Sequence, residues 1–303
     1  MNAAPLRLGT RRSALALAQS GMVARSITRA AGRPVDLVEI STYGDVSREA
    51  LAQIGGTGVF VGALRDALLD GRIDLAVHSL KDLPTAAPAD LVLAAVPERE
   101  DARDVLVARD GLKFADLPPG ARVGTGSPRR AAQLRLLRED LEILAVRGNV
   151  DTRIGFVAAG EMDAVVLAYA GLNRLARIGE ATDYFDPAAL VPAPGQGALA
   201  VECRAADTAL AGQLAALDHA PTRAAVLAER ALLAALEAGC SAPVGGYATV
   251  AEEVLHLTGI VADAAGPRSI RMSTTGPLDQ AGRLGHDLAA RLLARGAAGF
   301  MGK

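Results

Sequence analysis

The chain has 303 residues, half of them hydrophobic and 22 % charged, with a net charge of −2. That length suits two or three domains with a substantial core, and the balance is that of a globular chain. Aromatics are 3 %, Trp is absent and there is no basic excess, which argues against a base-stacking nucleic-acid surface and leaves any anion site to local clustering of Arg.

The elements alternate along the first two thirds. "LRLGT" (6–10) leads into a helical "SALALAQSGMVARSITRAA", and "VDLVEIST" (35–42) is a strand. "VFVGALRDALLDG" (59–71) has helical period with Arg65, Asp66 and Asp70 on its polar side, and "IDLAVHS" (73–79) alternates as a strand does. "LVLAAV" (91–96) and "DVLVAR" (104–109) are strands. A second round follows: "ARVGTG", helix "SPRRAAQLRLLRE", strand "LEILAVRG", helix "NVDTRIGFVAAGE" and strand "DAVVLAYAG". This βαβα order predicts an α/β fold with doubly wound sheets. "EREDARD" (98–104) and "VPAPGQGA" (191–198) read as connectors, and "GALAVECRA" as a strand returning to the first domain. The expected domains are 1–98 with 197–217, then 103–191, joined by a hinge around a cleft. A small C-terminal α+β domain at 219–303 opens on a long helix, 222–239, and continues with strands near 247–251, 254–261 and 269–275 and a helix at 279–296.

Two cysteines cannot make a disulfide framework, and Cys203 and Cys240 lack the CxxC spacing of a zinc or redox site, so no metal is expected. Cys203 lies in an apolar strand and reads as a buried thiol. Cys240, in "EAGCSAPVGGYA", sits in a loop of small residues. The apolar run of "RRSALALAQS" is too short for a signal sequence and no run reaches transmembrane length, so the expectation is a cytoplasmic protein away from membranes, or an organelle matrix protein whose targeting peptide is not shown.

Arg placement carries the chemistry. "GTGSPRRAAQ" offers Ser127 as N-cap and Pro128 at the first helical position, with Arg129 and Arg130 in the first turn. Two cations at a helix N-terminus cost about 0.3–1 kcal/mol each when exposed, unless an anion sits there. Arg11 before the cap Ser13, Arg147 and Arg153 in "AVRGNVDTRI", and Arg174 in "LAYAGLNRL" repeat the pattern. All fall where an open α/β sheet binds ligands, beyond the carboxyl ends of its strands. Together they suit a ligand with many carboxylates or phosphates. In "IDLAVHSLKDLPT", Lys81 and Asp82 end a strand, where a carboxylate beside a cation serves acid–base work or steadies a cationic intermediate. His78 reads as a half-buried strand residue. "GGTGVF" (55–60) lacks the Lys-Ser/Thr of a phosphate loop, and no GxSxG, HExxH or strand-linked GxGxxG occurs.

Taken together, "LRLGTRRSALALAQ", "GVFVGALRDALLDGRIDLAVHSLKDLP", "EREDARDVLV", "VGTGSPRRAAQL", "RGNVDTRI", "AGLNRL", "PAPGQGALAVECR" and "EAGCSAPVGGYA" resemble, nearly end to end and in order, the porphobilinogen deaminase (hydroxymethylbilane synthase) family. The resemblance implies two periplasmic-binding-protein-like α/β domains plus the small α+β domain. It implies a transferase that joins four porphobilinogen molecules head to tail, releasing four ammonia, to give hydroxymethylbilane. The primer would be a dipyrromethane in thioether linkage to Cys240. Lys81, Ser127, Arg129, Arg130 and Asp82 would hold that cofactor, while Arg11, Ser13, Arg147, Arg153 and Arg174 would bind substrate carboxylates. Asp82 would contact pyrrole N–H groups, assist loss of ammonia and stabilise the azafulvenium cation. The resemblance also favours a monomer.

The sequence departs from the family pattern at Tyr43, at Thr57 between Gly56 and Gly58, and at Pro128, which puts in question a charge role for that loop and the place of Phe60 as a cover over the cofactor. The competing class is a non-enzymatic two-lobed anion-binding protein, which would need neither Asp82 nor Cys240.

Overall fold

Strand β1, Leu6–Thr10, pairs in parallel with β2, Val35–Glu39, on one side and with β3, Leu75–Ser79, on the other. This is a computed structural model, and it describes residues 4–40, 58–86, 88–239, 242–263 and 266–301. The chain divides into two compact units, Met1–Arg99 with Ala198–Arg223, and Glu100–Gly197 with Ala224–Lys303.

In the first unit, helix α1 (Ala14–Ala31) follows β1 and helix α2 (Gly58–Leu69) precedes β3. The sheet is completed by β4, Leu91–Ala95, and by β10, Leu199–Arg204, which runs antiparallel between β3 and β4. Alternation along the strands splits the core. Leu6, Leu8, Leu75, Val77, Val201 and Cys203 pack with Val23 and Ile27 of α1, while Ala76 and Ile73 pack with Leu64 and Leu68 of α2. Cys203 is fully buried, as its apolar strand requires. Asp66 and Asp70 stay exposed, but Arg65 turns inward, with only 11 % of its side chain accessible.

The second unit repeats the plan. Its sheet runs β7-β6-β8-β5-β9, built from β5 (Asp104–Ala108), β6 (Arg122–Gly124), β7 (Glu142–Leu144), β8 (Ala164–Ala168) and β9 (Asp183–Tyr184). Strands β6, β7 and β8 are parallel, and β5 is antiparallel to β8. Helices α3 (Pro128–Leu137), α4 (Val150–Ala158) and α5 (Tyr169–Arg174) follow β6, β7 and β8. Leu106, Val123, Leu134 and Val166 fill one face, and Val105, Val107, Val165, Leu167 and Leu172 the other. Both sheets thus have parallel strands with helices on both faces, the doubly wound α/β class.

Helix α6 (Thr208–Leu214) precedes α7, Ala220–Ala235, which stops short of the helix expected through 239. Its end is a left-handed turn: Glu237 has φ 49°, and the Ala238 N–H donates back to Leu233 O. The remainder is a three-stranded antiparallel sheet, β11 (Val244–Ala251), β12 (Val254–Ala262) and β13 (Ser269–Pro277), and helix α8, Ala281–Ala294. Leu232 and Leu236 pack with Leu257, Leu288 and Leu292 in this small α+β portion. Among the described residues no helix is long and apolar enough to cross a membrane.

Candidate active site

Because β1 and β3 are parallel, their carboxyl ends share one edge of the first sheet. Arg11 and Ser13 follow β1, and Ser79, Lys81 and Asp82 follow β3. Ser13 is extended (φ −65°, ψ 143°), and its Oγ accepts from Ala16 N–H at 3.3 Å, the cap its position predicts. Gln19 of α1 donates from Nε2 to Ser79 Oγ at 2.9 Å, tying the helix to the end of β3. Lys81 and Asp82 lie in a single 3₁₀ turn, Leu80–Asp82, which opens on Leu80 N–H donating to Ala198 O at 3.0 Å. Leu80 is fully buried, whereas Lys81 and Asp82 are half-buried. Asp82 makes no side-chain hydrogen bond or ion pair with another described residue.

In the second unit the carboxyl ends of β6, β7 and β8 likewise share an edge. Ser127 Oγ accepts from Arg130 N–H at 3.4 Å and Pro128 opens α3, as the sequence predicts. Arg129 and Arg130 are buried, at 3 % and 5 % exposure, and face an internal anion, the fully buried Asp104 at the start of β5. Arg130 donates from Nε and Nη2 to Asp104 Oδ1 at 3.0 and 2.8 Å, and from Nη1 to Val166 O at 3.0 Å. Arg129 Nη2 lies 2.8 Å from Asp104 Oδ2, and its Nη1 donates to Val191 O at 2.7 Å. Gln196 Nε2 also donates to Asp104 Oδ1, at 2.8 Å.

Burial alone would push the Asp104 carboxyl up. The charges of the two guanidiniums, with hydrogen bonds from Arg130 and Gln196, outweigh that and hold it at about 2. Burial lowers Arg129, with Asp104 pulling the other way. Two guanidiniums against one carboxylate leave one positive charge over, and Arg129 Nε is buried without a hydrogen-bond partner among the described residues.

Arg153, in the first turn of α4, donates from Nε to Gly148 O at 2.9 Å. Its Nη2 reaches within 3.8 Å of the space beside Gly126 that a Cβ would fill, so Arg153 stands at the turn that carries Ser127. Arg147 is exposed on the β7–α4 loop. Arg174 ends α5, a short helix the sequence reading absorbed into the preceding strand. It donates from Nη2 to Gly197 O at 2.5 Å, is lowered by burial with Glu100 opposing, and keeps a buried, unpartnered Nε. The second unit therefore gathers Ser127, Arg129, Arg130 and Arg153 around one turn.

Cys240 lies outside the described residues, as do Tyr43, Thr57 and the side chain of Phe60. The flanking elements are described. Glu229 of α7, fully buried, accepts from Gly195 N–H at 2.6 Å and from Ala248 N–H of β11 at 2.7 Å, and Gly246 N–H donates to Pro192 O at 2.9 Å. The strand that begins at Val244, after Cys240 in the sequence, is thereby fastened to the segment whose Val191 O accepts from Arg129.

Asp104 and Glu202 escaped the sequence reading. Each was a single acid in an otherwise apolar strand, "DVLVA" and "LAVEC", and a charge there requires a buried partner. That was the available signal. The partners lie in distant segments.

The sequence model of the porphobilinogen deaminase dipyrromethane cofactor binding domain matches residues 6–212, and that of the porphobilinogen deaminase C-terminal domain matches 223–294. The chain belongs to the porphobilinogen deaminase family. It is 61 % identical to porphobilinogen deaminase 1 of Streptomyces coelicolor, covering 98 % of each chain, and 58 % identical to porphobilinogen deaminase of Thermobifida fusca, covering 98 % of this chain and 96 % of that one. Among solved structures it matches an ABC transporter periplasmic substrate-binding protein from Coxiella burnetii over 70 % of this chain and 91 % of that one, at 15 % identity and a TM-score of 0.43.

Proposed function

We propose that this protein is a transferase that polymerises four porphobilinogen molecules head to tail into hydroxymethylbilane, releasing four ammonia, on a dipyrromethane held covalently by Cys240. The observation that carries this reading is the surplus of guanidinium over carboxylate at Arg129, Arg130 and Asp104, with the buried N–H groups of Arg129 and Arg174 unpartnered. A ligand whose every ring bears two carboxylates suits such donors. The Nε–H groups themselves are buried, so it is the net positive charge of the cluster that an acetate or propionate would balance. Non-enzymatic anion binding would account for the arginines. It gives no role to Asp82 or Cys240, and the family match favours the enzyme.

The bound dipyrromethane supplies a free pyrrole α-carbon as the nucleophile. Arg129, Arg130 and Ser127, with Lys81, would hold its carboxylates, and Arg11, Ser13, Arg147, Arg153 and Arg174 would hold those of the substrate. Asp82 accepts hydrogen bonds from pyrrole N–H groups and stabilises the positive charge that develops on porphobilinogen as ammonia departs. We read residues 219–303 as a domain of its own, carrying the cysteine. The enzyme works in the cytoplasm as a monomer, with porphobilinogen as its small-molecule partner and no nucleic acid or membrane.

The test is the intact mass of the purified protein together with its colour in Ehrlich's reagent. The expected mass exceeds that of the sequence by two linked pyrrole units, and Cys240→Ser lacks both the increment and the colour. A bare-sequence mass in a wild-type preparation that makes bilane would sink the covalent assignment.

A further inference from the structure

The first unit contains a buried ionic cluster that no step above uses. Glu202 of β10, its side chain 3 % exposed, accepts from Arg65 of α2 through both carboxylate oxygens, Nε to Oε2 at 3.0 Å and Nη2 to Oε1 at 2.8 Å. His78 of β3, its side chain 4 % exposed, brings Nε2 to 3.2 Å from Oε2, a close packed approach that lacks hydrogen-bond geometry. Burial pushes the Glu202 carboxyl up, but His78 and Arg65 outweigh it and hold it at about 2, so the carboxylate is ionised throughout the working range. An ion cluster under a sheet stabilises little relative to apolar side chains of the same volume. Its bidentate geometry does fix rotamers and register.

What it fixes is the end of β3. The antiparallel register pairs Ala200 with His78 and Glu202 with Ala76, so His78 and Glu202 share the face packed against α2. Ser79, on the opposite face, is held by Gln19 of α1. Leu80 N–H then bonds Ala198 O, and the 3₁₀ turn with Asp82 begins. The strand end from which Asp82 hangs is therefore gripped on both faces, by a charged clamp on one and an amide–hydroxyl pair on the other. Asp82 itself has no side-chain partner among the described residues, so this grip is its available source of orientation.

We infer that Glu202, held by Arg65 and packed against His78, is a positioning residue for Asp82. The inference rests on the reading of Asp82 as the catalytic carboxylate. Misplacing a catalytic group by a fraction of an ångström costs on the order of tenfold in rate while leaving carboxylate binding intact.

The experiment compares the wild-type enzyme, Glu202→Gln, Asp82→Glu and the double variant. Each is assayed for kcat and KM with porphobilinogen, for cofactor by intact mass and for folding by circular dichroism. Glu202→Gln is expected to retain the cofactor mass and a KM within about twofold, with kcat lowered about tenfold. On the Asp82→Glu background the same change is expected to cost less than about twofold more, because the group being positioned is already displaced. An unchanged kcat in folded Glu202→Gln would overturn the inference. So would a full tenfold loss on top of Asp82→Glu, which would place its action elsewhere. A wild-type rate for Asp82→Glu would remove the reading of Asp82, and this inference with it. Should Glu202→Gln fail to fold, Ser79→Ala loosens the other face, with a several-fold loss in kcat at constant KM expected and a wild-type kcat overturning the clamp.

Discussion

Arg130 donates twice to a single oxygen of Asp104, at 3.0 and 2.8 Å, inside the second unit, where the acid has no exposure at all. With Arg129 on the other oxygen, this carboxylate is the internal counter-charge that lets two guanidiniums occupy a helix N-terminus. Asp104→Asn keeps the shape and removes the charge. Breaking a buried ion pair on one side costs about 3–5 kcal/mol, so the melting temperature is expected to fall by roughly 10 °C. A melting temperature unchanged from wild type would show that the pair contributes nothing.

The same pair sets an acid limit. Asp104 drops from an ordinary 3.8 to about 2 in the fold, and Glu202 from 4.5 to about 2. Both folded values are depressed, so their contribution is fully present above the unfolded values. It is lost as pH falls through the folded ones. Stability is therefore expected to decline between about pH 4.5 and 2, and chemical denaturation across that range in wild type, Asp104→Asn and Glu202→Gln measures it. Each variant should show a shallower decline, and identical slopes in all three would refute the assignment.

Asp82 and Asp104 should behave as opposites. Asp82 is half-buried and has no side-chain partner among the described residues, so Asp82→Ala is expected to shift stability by no more than about 0.5 kcal/mol. The reading of its chemistry predicts near-abolished bilane formation with the cofactor mass still present. Full activity in Asp82→Ala would refute the role.

Arginines that share one proposed task should separate by their internal bonds. Arg147 is exposed, and its replacement by Ala is expected to raise KM for porphobilinogen with little change in melting temperature. Arg130→Ala removes both of its bonds to Asp104 and the one to Val166 O, leaving the buried carboxylate to Arg129 and Gln196, so it should lose several kcal/mol of stability as well as ligand affinity. Equal melting temperatures for the two variants would contradict the geometry.

How far the sequence disclosed this arrangement depended on the range of the interaction. The caps Ser13 and Ser127, the alternating strands, the first-turn placement of Arg153 and the strand-end placement of Lys81 were readable because each depends on residues a few positions apart. Arg65 was assigned to a polar face because helical period cannot reveal that Glu202 approaches from another strand. The early stop of α7 was missed for a related reason. Glu237 occupies a left-handed position that composition assigns to glycine, so nothing before Gly239 marked the turn.

A last test concerns the connector beside Arg174. Gly197 has φ +89°, and a Cβ there would meet Glu100 O at 2.3 Å and Asp101 O at 3.2 Å. Its carbonyl is also the acceptor for Arg174 Nη2 at 2.5 Å. Backbone atoms cannot step aside as a flexible side chain can, so Gly197→Ala must move the 100–101 backbone, or rotate its own peptide away from Arg174. Gly32, the left-handed cap of α1 with φ +63°, is the control, since nothing lies within 4 Å of a Cβ there. Gly32→Ala should cost about 1 kcal/mol, the left-handed penalty alone. Gly197→Ala should cost about 3 kcal/mol or more, the same penalty with the clash added, and should raise KM if the guanidinium is displaced. Denaturant midpoints for the two variants measure the difference directly. Equal losses would mean that the 100–101 backbone yields freely and that Arg174 is not held through Gly197.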